Sequence, residues 1–412
     1  MSLSVRSVES IRSDFPALAR HHRGAPIAFF DGPGGTQVPQ SVIDAMVDYL
    51  ARHNANTHWD YPTSHETDAM IQAAREAFAD YFHCASDEVV FGQNMTTLTF
   101  HLSRGLANGF APGDELVVTE LDHHGNVAPW AAIARERGLV LRRIPFDPET
   151  GTLDTDRLMD AMTDRTRVVA MGLASNAIGT VNDVATVCRA ARERGVLSYI
   201  DAVHGAAHQL PDVQAFACDF LVCSPYKFYG PHLGALYGRR ELLESVAVPK
   251  LEPAPDTAPE RLETGTLSHE AIVGAHAAVE YLANLAPSAT RRASLLAAFD
   301  ALHRRGMELF ERLWSGVGEG PGVRRFGLPP EGSRTPTLGF VLEGVPAQTV
   351  ARHLADRAVF ASHGDFYAAG VIEGLGQAEH GIVRAGIACY TDAAEIDRLV
   401  AGVAELAKAT VR

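Results

Sequence analysis

Cysteine is scarce in this chain and poorly spaced for cross-linking. Five residues (Cys84, Cys188, Cys218, Cys223 and Cys389) are spread over 412 positions, an odd number with no Cys-x-x-Cys pair. That argues against a disulfide framework or a cysteine zinc site and suits a reduced, cytoplasmic enzyme. Positive charge is short too. The 36 Lys and Arg face 50 Asp and Glu, for a net charge of −14. Such a chain is repelled by a nucleic-acid backbone and by an anionic membrane surface, so neither is expected as a partner. No apolar run reaches the roughly 20 residues that a membrane-spanning helix needs. The opening MSLSVRSVESIRSDF lacks the apolar core of a secretory leader. The 18 histidines raise the question of a metal, but no His-Glu-x-x-His or similar spacing occurs. His123 and His124 are adjacent, and neighbours on a strand face opposite ways. No metal is expected.

What is present is apolar residues in the right periods. They make up 46% of the chain, ample for a large core, and the length suits two or three domains. Residues 5–20 read as a short amphipathic helix ending near Pro16. Ile27–Phe30 reads as a strand running into a Gly-rich turn, Asp31-Gly32-Pro33-Gly34-Gly35-Thr36. Helical periodicity covers 40–53 and 65–82, with a polar and aromatic loop between them that is long enough to be functional. From residue 88 to 201, short apolar runs at 88–91, 116–119, 139–145, 167–172 and 197–201 alternate with helical stretches. That pattern predicts a mostly parallel sheet with helices on both faces. In such sheets ligands sit at the C-terminal strand ends. Thr96, His123, Asn176, Asp201, His204 and Lys227 all fall at or just past such ends.

Two of those ends carry their own chemistry. After strand 88–91 comes Gly92-Gln93-Asn94-Met95-Thr96-Thr97 and a helix start, where free backbone N–H groups and the helix dipole can hold an anion. Thr96 or Thr97 is placed to cap that helix or to bind a phosphate. After the buried run Phe220–Cys223 comes Ser224-Pro225-Tyr226-Lys227-Phe228. A lysine hemmed by aromatics at the end of a buried strand is either a loop charge or a desolvated amine. Desolvation lowers its pKa and lets it condense with an aldehyde.

Past 246 the pattern changes. A Pro-rich stretch over 248–262 leads to Glu263-Thr264-Gly265-Thr266 and a long helical region to about Trp314, broken at Pro287. A second α/β unit follows: strand 337–342, helix 347–356, strand 357–361, a loop at 362–365, helical residues near 367–374, strand 381–386 and a closing helix over 392–408. The expected division is an N-terminal segment 1–25 packing with the small domain, a large domain 26–275 and a small C-terminal domain 276–412.

The strand-end residues make chemical sense together. Pyridoxal 5′-phosphate (PLP) needs a lysine, a carboxylate at its pyridine nitrogen, a phosphate cradle and a planar partner on its ring. Lys227 and Asp201 supply the first two. Met95, Thr96 and Ser224 lie at the cradle. His123 is placed to stack and shuttle protons, and His204 to hydrogen-bond the ring's 3′ oxygen.

Ser224-Pro225-Tyr226-Lys227-Phe228-Tyr229-Gly230-Pro231 followed by Gly234 is similar to a Ser-x-x-Lys-x-x-Gly-Pro family pattern. With the stretches DHHGNVAPW and IDAVH, it resembles the class V aminotransferase family of fold-type I PLP enzymes, on the cysteine desulfurase and selenocysteine lyase branch. The likeness runs from Ile11 to the final helix. It implies an α/β fold: a large domain with a mostly parallel sheet flanked by helices, plus a smaller C-terminal α/β domain. It implies PLP as cofactor, Lys227 as Schiff-base residue, Asp201 as partner of the pyridine nitrogen and His123 as stacking acid/base. Arg384 becomes the clamp for a small amino acid's carboxylate, with Asn176 and Asp365 beside the substrate. Thr266 becomes a residue that reaches the neighbouring subunit's phosphate, and hence implies a homodimer.

The branch's persulfide cysteine has no match here. Its loop reads Ala361-Ser362-His363-Gly364-Asp365-Phe366-Tyr367, with Asp365 about where the thiol would lie. The expected reaction is therefore elimination at Cα/Cβ of a lyase type, without a protein persulfide. An aminotransferase, β-decarboxylase or epimerase, a desulfurase with another acceptor, and a PLP-binding regulator are the alternatives.

Overall fold

A computed structural model describes residues 5–410. The first four residues of the expected N-terminal segment therefore lie outside the described residues. Seven strands form the larger sheet: β1 Val89–Gly92, β2 Glu115–Thr119, β3 Val140–Ile144, β4 Thr166–Gly172, β5 Leu197–Asp201, β6 Phe220–Cys223 and β7 Gly234–Gly238. Their spatial order is β1-β7-β6-β5-β4-β2-β3. β3, β2, β4, β5 and β6 run parallel, and β7 is antiparallel to both its neighbours. The inner strands are apolar without interruption because both faces are covered. Successive residues go to opposite sides. Val117, Ile200 and Leu221 join one core cluster, while Val118, Tyr199 and Phe220 join the other.

The longer helices that precede or flank this sheet are α1 Gln40–Asp48, α2 Pro62–Phe82, α3 Met95–Ala107, α4 Ala128–Arg137, α5 Val184–Glu193 and α6 His269–Ala283. α3 and α4 cover one face through Leu98, Leu102, Trp130 and Ile133. α2, α5 and α6 cover the other through Phe78, Val187 and Ile272. The smaller sheet has the order β8-β9-β11-β10, all antiparallel, from β8 Val323–Phe326, β9 Thr337–Leu342, β10 Ser362–Gly364 and β11 Ile382–Gly386. α7 Arg291–Gly318, α8 Ala347–Ala355 and α9 Ala393–Thr410 pack against it. None of the described helices is long and apolar enough to cross a membrane.

Local chemistry corrects several expected elements. The first helix spans only Val8–Arg12, and the segment restarts as a single turn at Pro16–Ala19. Pro16 disfavours helix at Phe15, which is extended. The region 362–365 is not a plain loop, because Ser362–Gly364 pairs with β11. β8 was not expected, since Val323-Arg324-Arg325-Phe326 carries two charges. Those guanidiniums lie over Phe326 and Trp314, so their stems are accommodated at the sheet edge. Ala28–Phe29 pairs in parallel with Val359–Phe360, and Asp31 bridges to Gly386. That pairing brings the Gly-rich turn after Phe30 to the C-terminal strand ends of the large sheet.

Candidate active site

Lys227 sits in a tight turn after β6, at residues Pro225–Lys227, and is buried. Its Nζ donates to the Pro33 carbonyl. Burial, and then the nearby Arg384, pull its pKa down to about 7 against the opposing pull of Asp201. A fully solvated lysine titrates near 10.4, so this amine is in large part a neutral nucleophile at neutral pH. Asp201 ends β5, one strand away. Its Oδ1 accepts the Val203 N–H at 2.8 Å. Burial raises this carboxyl to about 6, while Lys227 works to lower it.

The start of α3 is the third part. Asn94 caps the helix, its side chain accepting from Thr97 N at 2.9 Å. Neither threonine is the cap, which corrects the expectation for Thr96 and Thr97. The Met95 N–H donates to Ser224 Oγ at 3.2 Å. Thr96 is left with its hydroxyl beside Gly125.

His123 follows β2. Its Nδ1 accepts the Gly125 N–H at 2.8 Å. Its ring lies 5.7 Å from that of Tyr367. Burial, then Lys227, His124 and Arg384, lower its pKa to about 4. Beneath it Asp122 accepts from Gly172 N at 2.5 Å and from Asn126 Nδ2 at 3.3 Å. Burial, then Asp201, push the Asp122 carboxyl well above the carboxylate range. His204 is buried, with Nε2 at 3.0 Å from Thr335 Oγ1 and 3.3 Å from Thr337 Oγ1.

Arg384 is an inner residue of β11 and is 4% exposed, so it is not a surface charge. Its Nη1 donates to the Asn176 carbonyl at 2.8 Å, and its guanidinium lies 4.0 Å from the Phe366 ring centroid. Burial lowers it to about 9, opposed by Asp31. Asn176 Nδ2 donates to the Phe366 carbonyl at 3.0 Å. Asp365 is exposed, and its Oδ1 accepts the Tyr367 N–H at 3.0 Å. Phe366 and Tyr367 both hold a left-handed backbone, with φ of 56° and 55°. The Tyr367 carbonyl accepts from His124 N at 2.7 Å. The loop at the expected cysteine position is thus fastened to the large sheet at two points.

Lys227, Asp201, His123, Asn176 and Arg384 therefore meet at one place, with Asp365 at its rim. Thr266 does not join them. It is exposed, on the lip between two surface grooves, one lined by Gln93, Thr97 and His232 and the other by His58 and Leu251. Sequence reasoning missed Asp31, Pro33, Phe366 and Gly125. The Gly-Pro-Gly-Gly run was the available signal for the first two, because a Cβ at Gly34 would stand 3.1 Å from the Asp31 carbonyl oxygen and 3.5 Å from Arg384 Nη2.

The residues present suit a flat phosphorylated aldehyde. A buried amine of lowered pKa and a buried carboxyl stand at or just past the ends of adjacent strands, next to the start of α3, where the Met95 and Thr97 N–H groups reach Ser224 and Asn94. Arg384 Nε, Asn176 Oδ1 and Asp31 Oδ1 are buried without partners. Buried polar atoms are rarely left unpaired, so these three are ready for a ligand.

A family model described as Aminotransferase class-V matches residues 28–399. A cysteine desulfurase of Pectobacterium carotovorum subsp. carotovorum is 31% identical over 412 residues, covering 96% of this chain and 97% of that protein. A probable cysteine desulfurase of Pseudomonas putida is 32% identical, covering 94% and 95%. Among solved structures, the cysteine desulfurase CsdA of Escherichia coli, in an S-sulfonic acid form, superposes with a TM-score of 0.86 at 26% identity. That match covers 99% of this chain and 100% of CsdA. An apo cysteine desulfurase of Thermococcus onnurineus gives 0.89 at 26% identity, covering 98% and 99%.

Proposed function

Because the chain belongs to the class-V aminotransferase family, whose members use pyridoxal 5′-phosphate, we propose that it is a PLP-dependent lyase. It acts on a small α-amino acid and breaks a bond at Cβ, of the C–S or C–Se type, without storing the product on a protein thiol. The observation that carries this is the rim of the site. The loop fastened there presents Asp365, a carboxylate that cannot form a persulfide. Four of the five cysteines are buried, and Cys84 is half-buried. Burial raises the thiols of Cys188 and Cys389 to about 12, so neither is a ready nucleophile.

When bound, PLP supplies an electron sink for charge that develops at Cα. Lys227 would hold its aldehyde carbon, and Asp201 would pair with the protonated pyridine nitrogen. Thr96, Ser224 and the Met95 N–H region would receive the phosphate. The rest is this chain's own work. Arg384 meets the substrate carboxylate with a planar fork, which fixes which Cα bond faces the cofactor. Phe366 keeps water off one face of that fork. As a free amine, Lys227, whose pKa burial lowers to about 7, would serve as the general base for the Cα proton. His123 flanks it, and His204, just past β5, is held through Nε2 by Thr335 and Thr337. Thr266, by its exposure, would serve a second copy of the chain.

The deciding experiment incubates the purified protein with PLP and a panel of amino acids, L-cysteine included. Spectral change, keto acid, alanine and sulfide are then read. A keto acid formed together with free sulfide or another small leaving group is expected, with all five cysteines unmodified by mass spectrometry. A persulfide on any of them during turnover would overturn the proposal.

A further inference from the structure

The surroundings of His123 decide which of its ring nitrogens carries hydrogen. The Gly125 N–H reaches Nδ1 at 2.8 Å. A backbone amide can only donate, so Nδ1 is the acceptor, and in a neutral imidazole the hydrogen then sits on Nε2. The turn enforces this. His123 is the N-cap of the turn His124–Asn126. The His124 N–H goes to the Tyr367 carbonyl at 2.7 Å, and the Asn126 N–H to the His123 carbonyl at 2.8 Å. Without Nδ1 the Gly125 N–H would be the turn's orphan donor.

The turn itself is anchored. Asn126 Nδ2 donates to Asp122, Trp130 Nε1 donates to Asn126 Oδ1 at 3.4 Å, and Asp122 is held by the Gly172 N–H. No side chain fits at position 125. A Cβ there would stand 2.9 Å from His123 Nδ1 and 3.0 Å from Thr96 Oγ1.

We infer that Gly125 is a positioning residue that locks His123 as a neutral donor through Nε2, so that His123 takes no substrate proton and Lys227 carries it alone. This rests on the cofactor reading above. A proton arriving at Nδ1 would set two hydrogens against each other. Nε2 is already filled and has no partner among the described residues. The groups facing the ring agree. Lys227, His124 and Arg384 oppose an imidazolium, while Asp365 alone favours one. What remains for His123 is to stack and to donate a hydrogen bond to an anionic atom of the substrate.

The test is nitrogen-15 NMR of histidine-labelled protein, with the His123 signal assigned by its loss in His123→Gln. Spectra are recorded with and without added PLP. The expected pattern is a pyridine-type Nδ1 and a pyrrole-type Nε2, unchanged between about pH 6 and 8.5, where a free histidine titrates. A proton on Nδ1, or drift toward the imidazolium in that window, would overturn the inference. The visible cofactor band is read separately. A protein that fails to take up PLP still reports its tautomer, so the two readings fail independently.

Discussion

At the scale of single residues, burial decides what Lys227 can do. An amine needs its lone pair to attack an aldehyde, and a solvated lysine has it free only above pH 10. Lys227 is pulled down to about 7, first by burial and then by Arg384. The sign is that of a cation disfavoured in the folded chain, so the reactive neutral form fills in as pH rises through about 7. Uptake of PLP by the apo protein is therefore expected to speed up about tenfold per pH unit below that value and to level off above about pH 8. The growth of the visible band in stopped flow checks it. Rates still climbing tenfold per unit past pH 9 would mean the amine is solvated. That Lys227 and Asp201 stand at strand ends was legible in the sequence, because Asp201 closes the apolar run 197–201 and Lys227 lies just past the run 220–223. The contact of Lys227 with the Pro33 carbonyl was not legible. A backbone acceptor 194 positions away in sequence leaves no mark on residue type.

At the scale of elements, one ion pair holds the segment that carries Thr266. Arg75 of α2 grips Glu263 with both arms at 2.8 Å, and the same carboxylate accepts the Phe91 N–H of β1 at 2.7 Å. Both side chains are nearly withdrawn from water. Removing one partner of such a pair leaves a buried charge uncompensated, at a cost of about 3–5 kcal/mol. Glu260 also reaches Arg75, at 3.7 Å, so the lower end applies. Glu263→Gln is expected to lose about 3 kcal/mol of unfolding free energy in urea. A loss under about 1 kcal/mol would show that the pair adds nothing the Phe91 contact does not. Nothing in the Glu263-Thr264-Gly265-Thr266 stretch names its partner in α2, because ion pairs between distant segments follow from packing. What the sequence does specify is local. The runs at 197–201, 220–223 and 337–342 are strands with those bounds. The helix start at Met95 was also legible, but its cap was misassigned. Asn94 lies one position before the threonines that drew attention and is among the strongest N-cap residues.

At the scale of the whole molecule, the site lies where the two sheets meet, and the chain exposes apolar surface close to Thr266. Ile43, Val47 and Leu50 recur at helical spacing from α1 onward, and Val47 is 57% exposed. Trp59 is 59% exposed in the neighbouring loop, and Leu251 is 63% exposed beside the groove that Thr266 borders. Large apolar side chains left exposed in such numbers often mark a surface that a partner covers. The proposed second copy of the chain would cover them, in an isologous contact that would bring each Thr266 toward the opposite cradle. Changing Val47→Asp together with Trp59→Ser places two polar side chains in that contact and removes its largest ring. In sedimentation analysis the wild type is expected to run as a dimer and the double variant as a monomer at micromolar concentration. The monomer is further expected to hold PLP at least tenfold more weakly, because its phosphate lacks Thr266 from the other copy. A variant that stays dimeric would place the interface elsewhere. A monomer with undiminished PLP affinity would keep the interface but remove Thr266 from the phosphate site.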